Sequence, residues 1–86
     1  MRAVAKKYSH LGIRINLVAP RVIETDMLND LYKTAESKQK LIDKIPVGRL
    51  GTITDTTNAV NFLASEEAAF IQGQVLLLDG GRTYFQ

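Results

Sequence analysis

The stretch that decides the fold is I-R-I-N-L-V-A-P, residues 13–20. Apolar and β-branched residues dominate it and a proline closes it, so residues 13–19 are predicted to form a β-strand. Gly12 comes immediately before, where a C-cap glycine would end a helix over residues 2–10. Asn16 is the polar amide within the strand. It needs hydrogen-bond partners, because an unpaired buried amide costs about 1–3 kcal/mol.

A second strand is predicted near the other end of the sequence. Val75–Leu78 reads V-L-L-L, and Asp79-Gly80-Gly81 follows it as a tight-turn sequence. A continuous apolar run of this length is typical of a strand buried on both faces, as in parallel sheets.

Helical periodicity fills the interval between the two strands. From residue 26 the apolar side chains recur on one helix face, and Ser37 is a candidate N-cap for a second short helix that ends at Pro46. Thr54 is the predicted N-cap of a third helix that runs to about residue 67. Strand, helices and strand in this order indicate a parallel βαβ unit, whose crossover is almost always right-handed.

Composition excludes several classes of protein. The 86 residues are 45% hydrophobic and 23% charged with a formal net charge of +2, which is typical of a globular chain. This small surplus does not indicate nucleic-acid or membrane binding, and no apolar run reaches the ~18 residues that span a bilayer. The sequence has no cysteine and one histidine, His10, so no disulfide and no metal site is expected. A cytoplasmic location is expected, since the N-terminus lacks a signal-peptide pattern.

Five segments, in this order and at these spacings, resemble the short-chain dehydrogenase/reductase family. Within that family the chain is most similar to the 3-oxoacyl-(acyl carrier protein) reductases. The segments are G-I-R-I-N with A-P (12–16 and 19–20), I-E-T-D-M (23–27), I-P-V-G-R-L-G (45–51), N-A-V-N-F-L-A-S (58–65), and G-Q with L-D-G-G (73–74 and 78–81). The resemblance covers nearly the whole chain but only the C-terminal third of a family member.

The resemblance implies an α/β fold, namely the C-terminal βαβ part of a Rossmann-like doubly wound parallel sheet. Residues 1–86 are then the C-terminal third of one such domain, with a mobile substrate lid at about residues 26–45. Two strands and a few helices cannot cover both faces of a parallel sheet, which also favours a piece of a larger fold.

The resemblance further implies an NAD or NADP cofactor, held in part by the loop after the first strand. Family members usually read P-G-x-x-x-T there, and this chain reads P-R-V-I-E-T. By position, Pro20 packs on the nicotinamide ring, the Ile23 backbone meets the carboxamide, and the Thr25 hydroxyl bonds the carboxamide or a phosphate. The expected cofactor-binding residues are Pro20, Arg21, Val22, Ile23 and Thr25.

Some of these residues have a second interpretation. Arg21 replaces the usual glycine, and it contacts either a cofactor phosphate or an acidic substrate group, or it points to solvent. Thr25 can serve as the N-cap of the lid helix as well as contact the cofactor, and Asp26 is an equal candidate for that cap.

Apolar residues of the lid and the C-terminus are assigned by the same resemblance. Met27, Leu28 and Leu31 are the expected substrate-lid residues, although apolar residues at helical spacing are more often packing residues. Tyr84 and Phe85 are expected to pack across a subunit interface.

The family's chemistry needs parts that this sequence lacks. Neither the catalytic Y-x-x-x-K pattern nor the phosphate-binding T-G-x-x-x-G-x-G pattern occurs, so no catalytic residue is assigned. The first hypothesis is a C-terminal fragment of an NAD(P)-dependent oxidoreductase for a small carbonyl or alcohol substrate, inactive alone, in a homo-oligomer or with full-length subunits. The alternative is a non-catalytic module that docks on full-length subunits through an exposed sheet edge and the last helix.

Overall fold

The computed structural model describes residues 2–82 of the chain, so the predicted interface residues Tyr84 and Phe85 lie outside the described part. Four helices and two strands follow one another, with a 3-10 turn before the last strand. Their bounds are α1 (Arg2–Ser9), β1 (Leu17–Pro20), α2 (Asp26–Leu31), α3 (Ala35–Ile42), α4 (Ile53–Ala64), the 3-10 turn (Glu66–Ala68) and β2 (Val75–Leu78).

The two strands lie side by side in a parallel sheet. Leu17 pairs with Val75 and Pro20 with Leu78, and the three helices α2–α4 form the crossover between them. The predicted parallel βαβ arrangement is confirmed, and β2 has the predicted bounds. Gly12 has a φ of +77°, as expected for the residue that ends α1.

Strand β1 begins four residues later than predicted, because side chains pair the chain upstream of it. The Asn16 amide donates from Nδ2 to the Ile71 carbonyl at 3.1 Å, and its Oδ1 accepts the Gln74 backbone N–H at 3.0 Å. The Gly73 N–H also donates to the Ile15 carbonyl at 2.9 Å, and the regular strand pairing follows from the bond between the Leu17 N–H and the Gln74 carbonyl, also at 2.9 Å. The amide that the sequence marked as needing partners therefore has both of them.

Gln72 continues this side-chain pairing toward α1. Its Oε1 accepts the Ile15 backbone N–H at 2.7 Å, while Nε2 donates to the Ile13 carbonyl and to the Ser9 hydroxyl, both at 2.8 Å. One half-buried side chain thus links α1, the extended residues before β1 and the segment before β2.

The N-caps of α3 and α4 lie upstream of the predicted ones. Thr34, and not Ser37, caps α3: its hydroxyl accepts the Ser37 backbone N–H at 3.0 Å. Thr52, and not Thr54, caps α4, and it forms a reciprocal capping box with Asp55. A capping box satisfies two helix N–H groups together, so it outcompetes a lone cap residue further along the chain.

Helix α4 ends at Ala64, three residues before the predicted end. Arg14 donates to carbonyls at and just after this helix end: Nη1 donates to Leu63 at 3.1 Å and to Ala68 at 2.6 Å, and Nη2 to Ser65 at 3.2 Å. A guanidinium at the negative end of a helix stabilises that end. No sequence pattern had indicated this role for Arg14.

The buried apolar cluster is formed by α3 and the segment that follows it, and not by strand residues. Leu41, Ile45 and Leu50 form it, and partly buried hydrophobic residues pack around them: Val22, Leu28, Tyr32 and Ile42.

Strand β2 is exposed in this chain. Val75, Leu76 and Leu77 are 49%, 38% and 42% exposed, so the prediction of a strand buried on both faces is wrong for these 86 residues. The apolar run is that of a buried strand, but residues 2–82 leave it largely uncovered.

The molecule is elongated, with principal extents of 51 × 23 × 20 Å and a radius of gyration of 15.9 Å. A compact chain of this length would have a radius of about 12 Å. Its accessible surface is 6399 Å², against about 5,100 Å² for an ordinary folded monomer of this mass. Within the described residues, no helix combines the length and the apolar character needed to cross a membrane.

Candidate functional site

The candidate site lies at the carboxyl ends of the two strands. Parallel α/β sheets bind ligands at this edge, because the loops that leave the strands converge there. Arg21, the first residue after β1, donates its backbone N–H to the Leu78 carbonyl at 3.0 Å. The loops after β1 and β2 therefore start side by side.

A cleft of about 350 Å³ opens between these loops. Residues 21–23 line it from the β1 loop and residues 79–81 from the β2 loop. Its remaining lining includes Ile45, Arg49 and Gly51. Of the five expected cofactor-binding residues, the structure thus brings Arg21, Val22 and Ile23 to one cleft, whereas Pro20 and Thr25 flank it in the chain.

The N–H and C=O of Ile23 point away from Gly51, the residue with which Ile23 pairs. Ile23 forms a parallel bridge with Gly51, in which Gly51 donates to the Val22 carbonyl at 3.0 Å and Glu24 donates to the Gly51 carbonyl at 2.8 Å. In such a bridge the flanking peptides carry the hydrogen bonds. No described residue bonds the N–H or C=O of Ile23, so one donor and one acceptor are available on the cleft residue.

Val22 has a φ of +60°, and it is the non-glycine residue with a positive φ among those described. This conformation is unfavourable for a β-branched residue, and it persists only where the surroundings impose it. Arg21, which replaces the family's usual glycine, does not have a positive φ. The substitution at position 21 is therefore compatible with this loop, and the conformational strain lies one residue later.

Thr25 is the N-cap of α2, and Asp26 is the first residue of that helix. The Thr25 Oγ1 accepts the Leu28 backbone N–H at 3.2 Å. The hydroxyl also carries a donor, for which the described residues provide no acceptor. Capping and a further contact by this hydroxyl are thus compatible.

The three expected lid residues separate into two groups. Leu28 packs against the buried cluster, which agrees with the packing interpretation. Met27 and Leu31 are each 73% exposed, and none of the three lines the cleft. Their role in a substrate lid stays a prediction.

Arg49 and Asp55 form an ion pair at the rim of the cleft that sequence reasoning did not identify. Nη1 of Arg49 lies 2.8 Å from Oδ2 of Asp55, and Nη2 lies 3.3 Å from Oδ1. The hydrogen bonds from Arg49 and from the Thr52 backbone hold the pKa of the Asp55 carboxyl well below its usual range. Asp55 in turn raises the pKa of Arg49. The T-x-x-D spacing of residues 52–55 was the available signal.

Asp79 and the glycines after it form a tight turn, as the sequence indicated. The buried Asp79 carboxylate accepts the Gly81 backbone N–H at 2.9 Å, and Gly80 and Gly81 both have positive φ. Among residues 2–82, no group of three or more acidic or histidine side chains could hold a metal ion.

Comparison with known proteins agrees with this geometry. The family model described as enoyl-(acyl carrier protein) reductase matches residues 1–83. The chain is 41% identical over 80 residues to the 3-oxoacyl-[acyl-carrier-protein] reductase FabG of Escherichia coli, covering 93% of this chain and 32% of the relative.

Solved structures match as well. A short-chain type dehydrogenase/reductase from Mycobacterium ulcerans superimposes with a TM-score of 0.89 at 30% identity, covering 100% of this chain and 31% of that one. A proposed 2-deoxy-D-gluconate 3-dehydrogenase from Agrobacterium tumefaciens, solved with bound NADP, gives a TM-score of 0.86 at 32% identity and covers 96% and 34%. The chain spans about a third of the length of the relatives it matches. By its sequence and its Rossmann-type structural neighbours, the chain belongs to the short-chain dehydrogenase/reductase family.

Proposed function

We propose that residues 1–86 are the C-terminal third of an NAD(P)-dependent short-chain oxidoreductase domain of the 3-oxoacyl reductase type, acting on a carbonyl or hydroxyl group. In it this chain supplies part of the nicotinamide wall and, over about residues 26–45, the substrate lid. The observation that carries the proposal is that Ile23 lines the cleft between the strand ends, while its N–H and C=O have no partner among the described residues.

The donor and acceptor on Ile23 match the chemistry of a nicotinamide carboxamide. A primary amide has one carbonyl acceptor and an NH₂ donor, so it can pair with the N–H and C=O of a single residue. Thr25 adds a hydroxyl to the same loop, and Pro20 offers an apolar ring at the end of β1. The cofactor supplies the hydride, and these residues would select which face of its ring meets the substrate. The bound NADP of the Agrobacterium relative supports this choice of cofactor class.

Alone, the chain is proposed to be inactive. Its sequence contains neither the Y-x-x-x-K acid/base pair nor the glycine-rich phosphate loop of the family. Losing residues that act as one catalytic unit removes most of the rate enhancement. The active form would be cytoplasmic and would contain the missing two-thirds of the fold, in a homo-oligomer or with full-length subunits.

A chimera tests the proposal. Residues 1–86 replace the matched C-terminal third of the Escherichia coli 3-oxoacyl-[acyl-carrier-protein] reductase, and NADPH oxidation is followed with a 3-oxoacyl substrate. The chimera is expected to turn over, and Thr25→Val is expected to raise the KM for NADPH about fivefold, the loss of roughly one hydrogen bond. Thr34→Val is the matched control, because it removes the N-cap of α3 and leaves the cleft residues intact.

Two results contradict the proposal. Turnover of NADPH by the isolated 86-residue chain would contradict inactivity. The folded chimera can also be compared with the Escherichia coli reductase truncated before its C-terminal third. Equal NADPH affinity of the two proteins would contradict a role of residues 1–86 in the nicotinamide wall.

The exposed β2 strand favours a second candidate, a non-catalytic module that docks on full-length family subunits. Val75 and Leu77 are exposed on one face of the sheet and Leu76 on the other. Exposed apolar surface commonly marks an interface. Co-purification of a full-length family subunit would support this function. A well-folded, monodisperse monomer that retains no such subunit would exclude it.

A further inference from the structure

The loop proposed to meet the nicotinamide is held in place by one short segment of chain. Gly51 makes two backbone hydrogen bonds to the loop, one to the Val22 carbonyl at 3.0 Å and one from the Glu24 N–H at 2.8 Å. These two bonds flank Ile23 and keep its own N–H and C=O pointing away from Gly51. Whatever fixes Gly51 therefore also fixes the orientation of Ile23.

Gly51 is itself fixed from both sides. Before it, Arg49 Nη1 donates to the Leu50 carbonyl at 3.0 Å. After it, the Asp55 carboxylate accepts the Thr52 N–H at 2.8 Å. The Arg49–Asp55 ion pair then joins these two contacts into a closed loop around the residue.

We propose that Arg49 and Asp55 are a positioning pair that holds Gly51, and through it the nicotinamide-binding loop, in register with the cleft. The role in cofactor binding rests on the proposed function, while the mechanical link from the pair to the loop does not. Neither side chain needs to touch the cofactor for this role.

The geometry specifies arginine rather than any cation. Its planar fork reaches both carboxylate oxygens and the Leu50 carbonyl at once, whereas a lysine ammonium is a single point charge. The link also accounts for Val22. A β-branched residue keeps a φ of +60° only where neighbouring bonds hold it in that conformation. The hydrogen bond from the Gly51 N–H to the Val22 carbonyl is such a bond.

Amide hydrogen exchange on the ¹⁵N-labelled full 86-residue chain tests the link without any cofactor. Arg49→Lys keeps the charge but loses the fork, and Asp55→Asn keeps an acceptor for the Thr52 N–H but loses the ion pair. Each is expected to speed exchange of the Gly51 and Glu24 amides about three- to tenfold. The Leu17 amide, in the β1–β2 pairing, is expected to change by less than about twofold, and Asp55→Glu is expected to restore much of the protection.

A local signature separates positioning from general stability. The three-bond HN–Hα coupling of Val22 reports its φ, and it is expected to change in Arg49→Lys toward the value for extended backbone. Arg14→Lys is the matched control, because it weakens the other end of α4 through a similar guanidinium contact and should leave Val22 and Gly51 unchanged.

Three outcomes would overturn the inference. The first is equal acceleration of the Gly51 and Leu17 amides, which indicates global destabilisation. The second is an unchanged Gly51 amide in both variants. The third is a wild-type chain in which the Gly51 and Glu24 amides are unprotected. The exchange experiment contains no cofactor. Its result is therefore independent of the NADPH experiments with the chimera, and the failure of one proposal can be distinguished from the failure of the other.

Discussion

Gly80→Ala is expected to destabilise the chain through a close contact with Ile45 and through an unfavourable backbone conformation. A Cβ at position 80 would lie 2.6 Å from Cγ2 of Ile45, which is 4% exposed and belongs to the buried cluster. Carbon atoms in contact are normally about 3.5–4.0 Å apart, so one of the two must move by about 1 Å. Cγ2 is attached to the branched Cβ of Ile45 and cannot swing away as a side-chain end can.

The cost has two parts that a second glycine separates. Gly80 has a φ of +61°, and placing alanine there costs about 1–2 kcal/mol in conformational energy. Overpacking against Ile45 adds about 1–3 kcal/mol. Gly48 has a φ of +88°, and a methyl group added there would meet nothing within 4 Å, so Gly48→Ala carries the conformational part only. Gly80→Ala should therefore cost about 1–3 kcal/mol more than Gly48→Ala.

The difference in the free energy of unfolding between the two variants can be measured by urea denaturation, with circular dichroism as the readout. The expected excess is large against a total of about 4–13 kcal/mol for a domain of this length. Ile45→Leu removes Cγ2 at similar volume, so in a double-mutant cycle it should recover most of the excess in the Gly80→Ala background. Equal costs for Gly80→Ala and Gly48→Ala, or no coupling to Ile45, would refute the reasoning.

Three further predictions concern the hydrogen bonds that shape the fold. Thr52→Ala should lower the free energy of unfolding by about 1 kcal/mol in urea titrations, whereas Thr54→Ala, inside α4, should not lower it; the reverse order would contradict the observed cap. Gln72→Ala should lower the free energy of unfolding by about 1–3 kcal/mol, because it leaves the Ile15 N–H unpaired. If Gln72→Ala lowers it no more than a Gln→Ala change at an exposed position does, this role of Gln72 is wrong. For Asp55 the folded-state pKa is lowered, so its stabilisation is complete above its unfolded pKa of about 4 and is lost as pH falls through the folded value. The difference in Tm between wild type and Asp55→Asn should thus shrink below about pH 4, and a difference that is constant with pH would contradict the ion pair.

The sequence predicted those parts of the fold that depend on local pattern. The V-L-L-L run of β2 is a continuous apolar segment bounded by turn residues, and its bounds agree with the prediction. The predicted start of β1 was wrong, because Asn16 and Gln72 replace part of the backbone pairing with side-chain bonds to residues more than 50 positions away. No local period encodes such long-range contacts. The predicted burial of β2 was wrong for a related reason, since burial depends on a covering layer that the described part of the chain does not supply.

The site was predicted by position more than by chemistry. Motif order placed the predicted cofactor-binding residues on the loop of residues 20–25, but it indicated neither the φ of Val22 nor the bridge to Gly51. Both depend on contacts between segments that are far apart in sequence. The Arg49–Asp55 pair could have been predicted from the sequence, since T-x-x-D marks a capping box and an arginine lies six residues before the carboxylate.

The elongated shape of the chain affects how its association state is measured. A radius of gyration of 15.9 Å is that of a compact protein of about twice this length. In gel filtration a single chain will therefore elute where a compact dimer would be expected. Light scattering measures mass directly, so a one-chain mass in the apparent dimer peak would identify a monomer, and a two-chain mass in an earlier peak would identify true self-association.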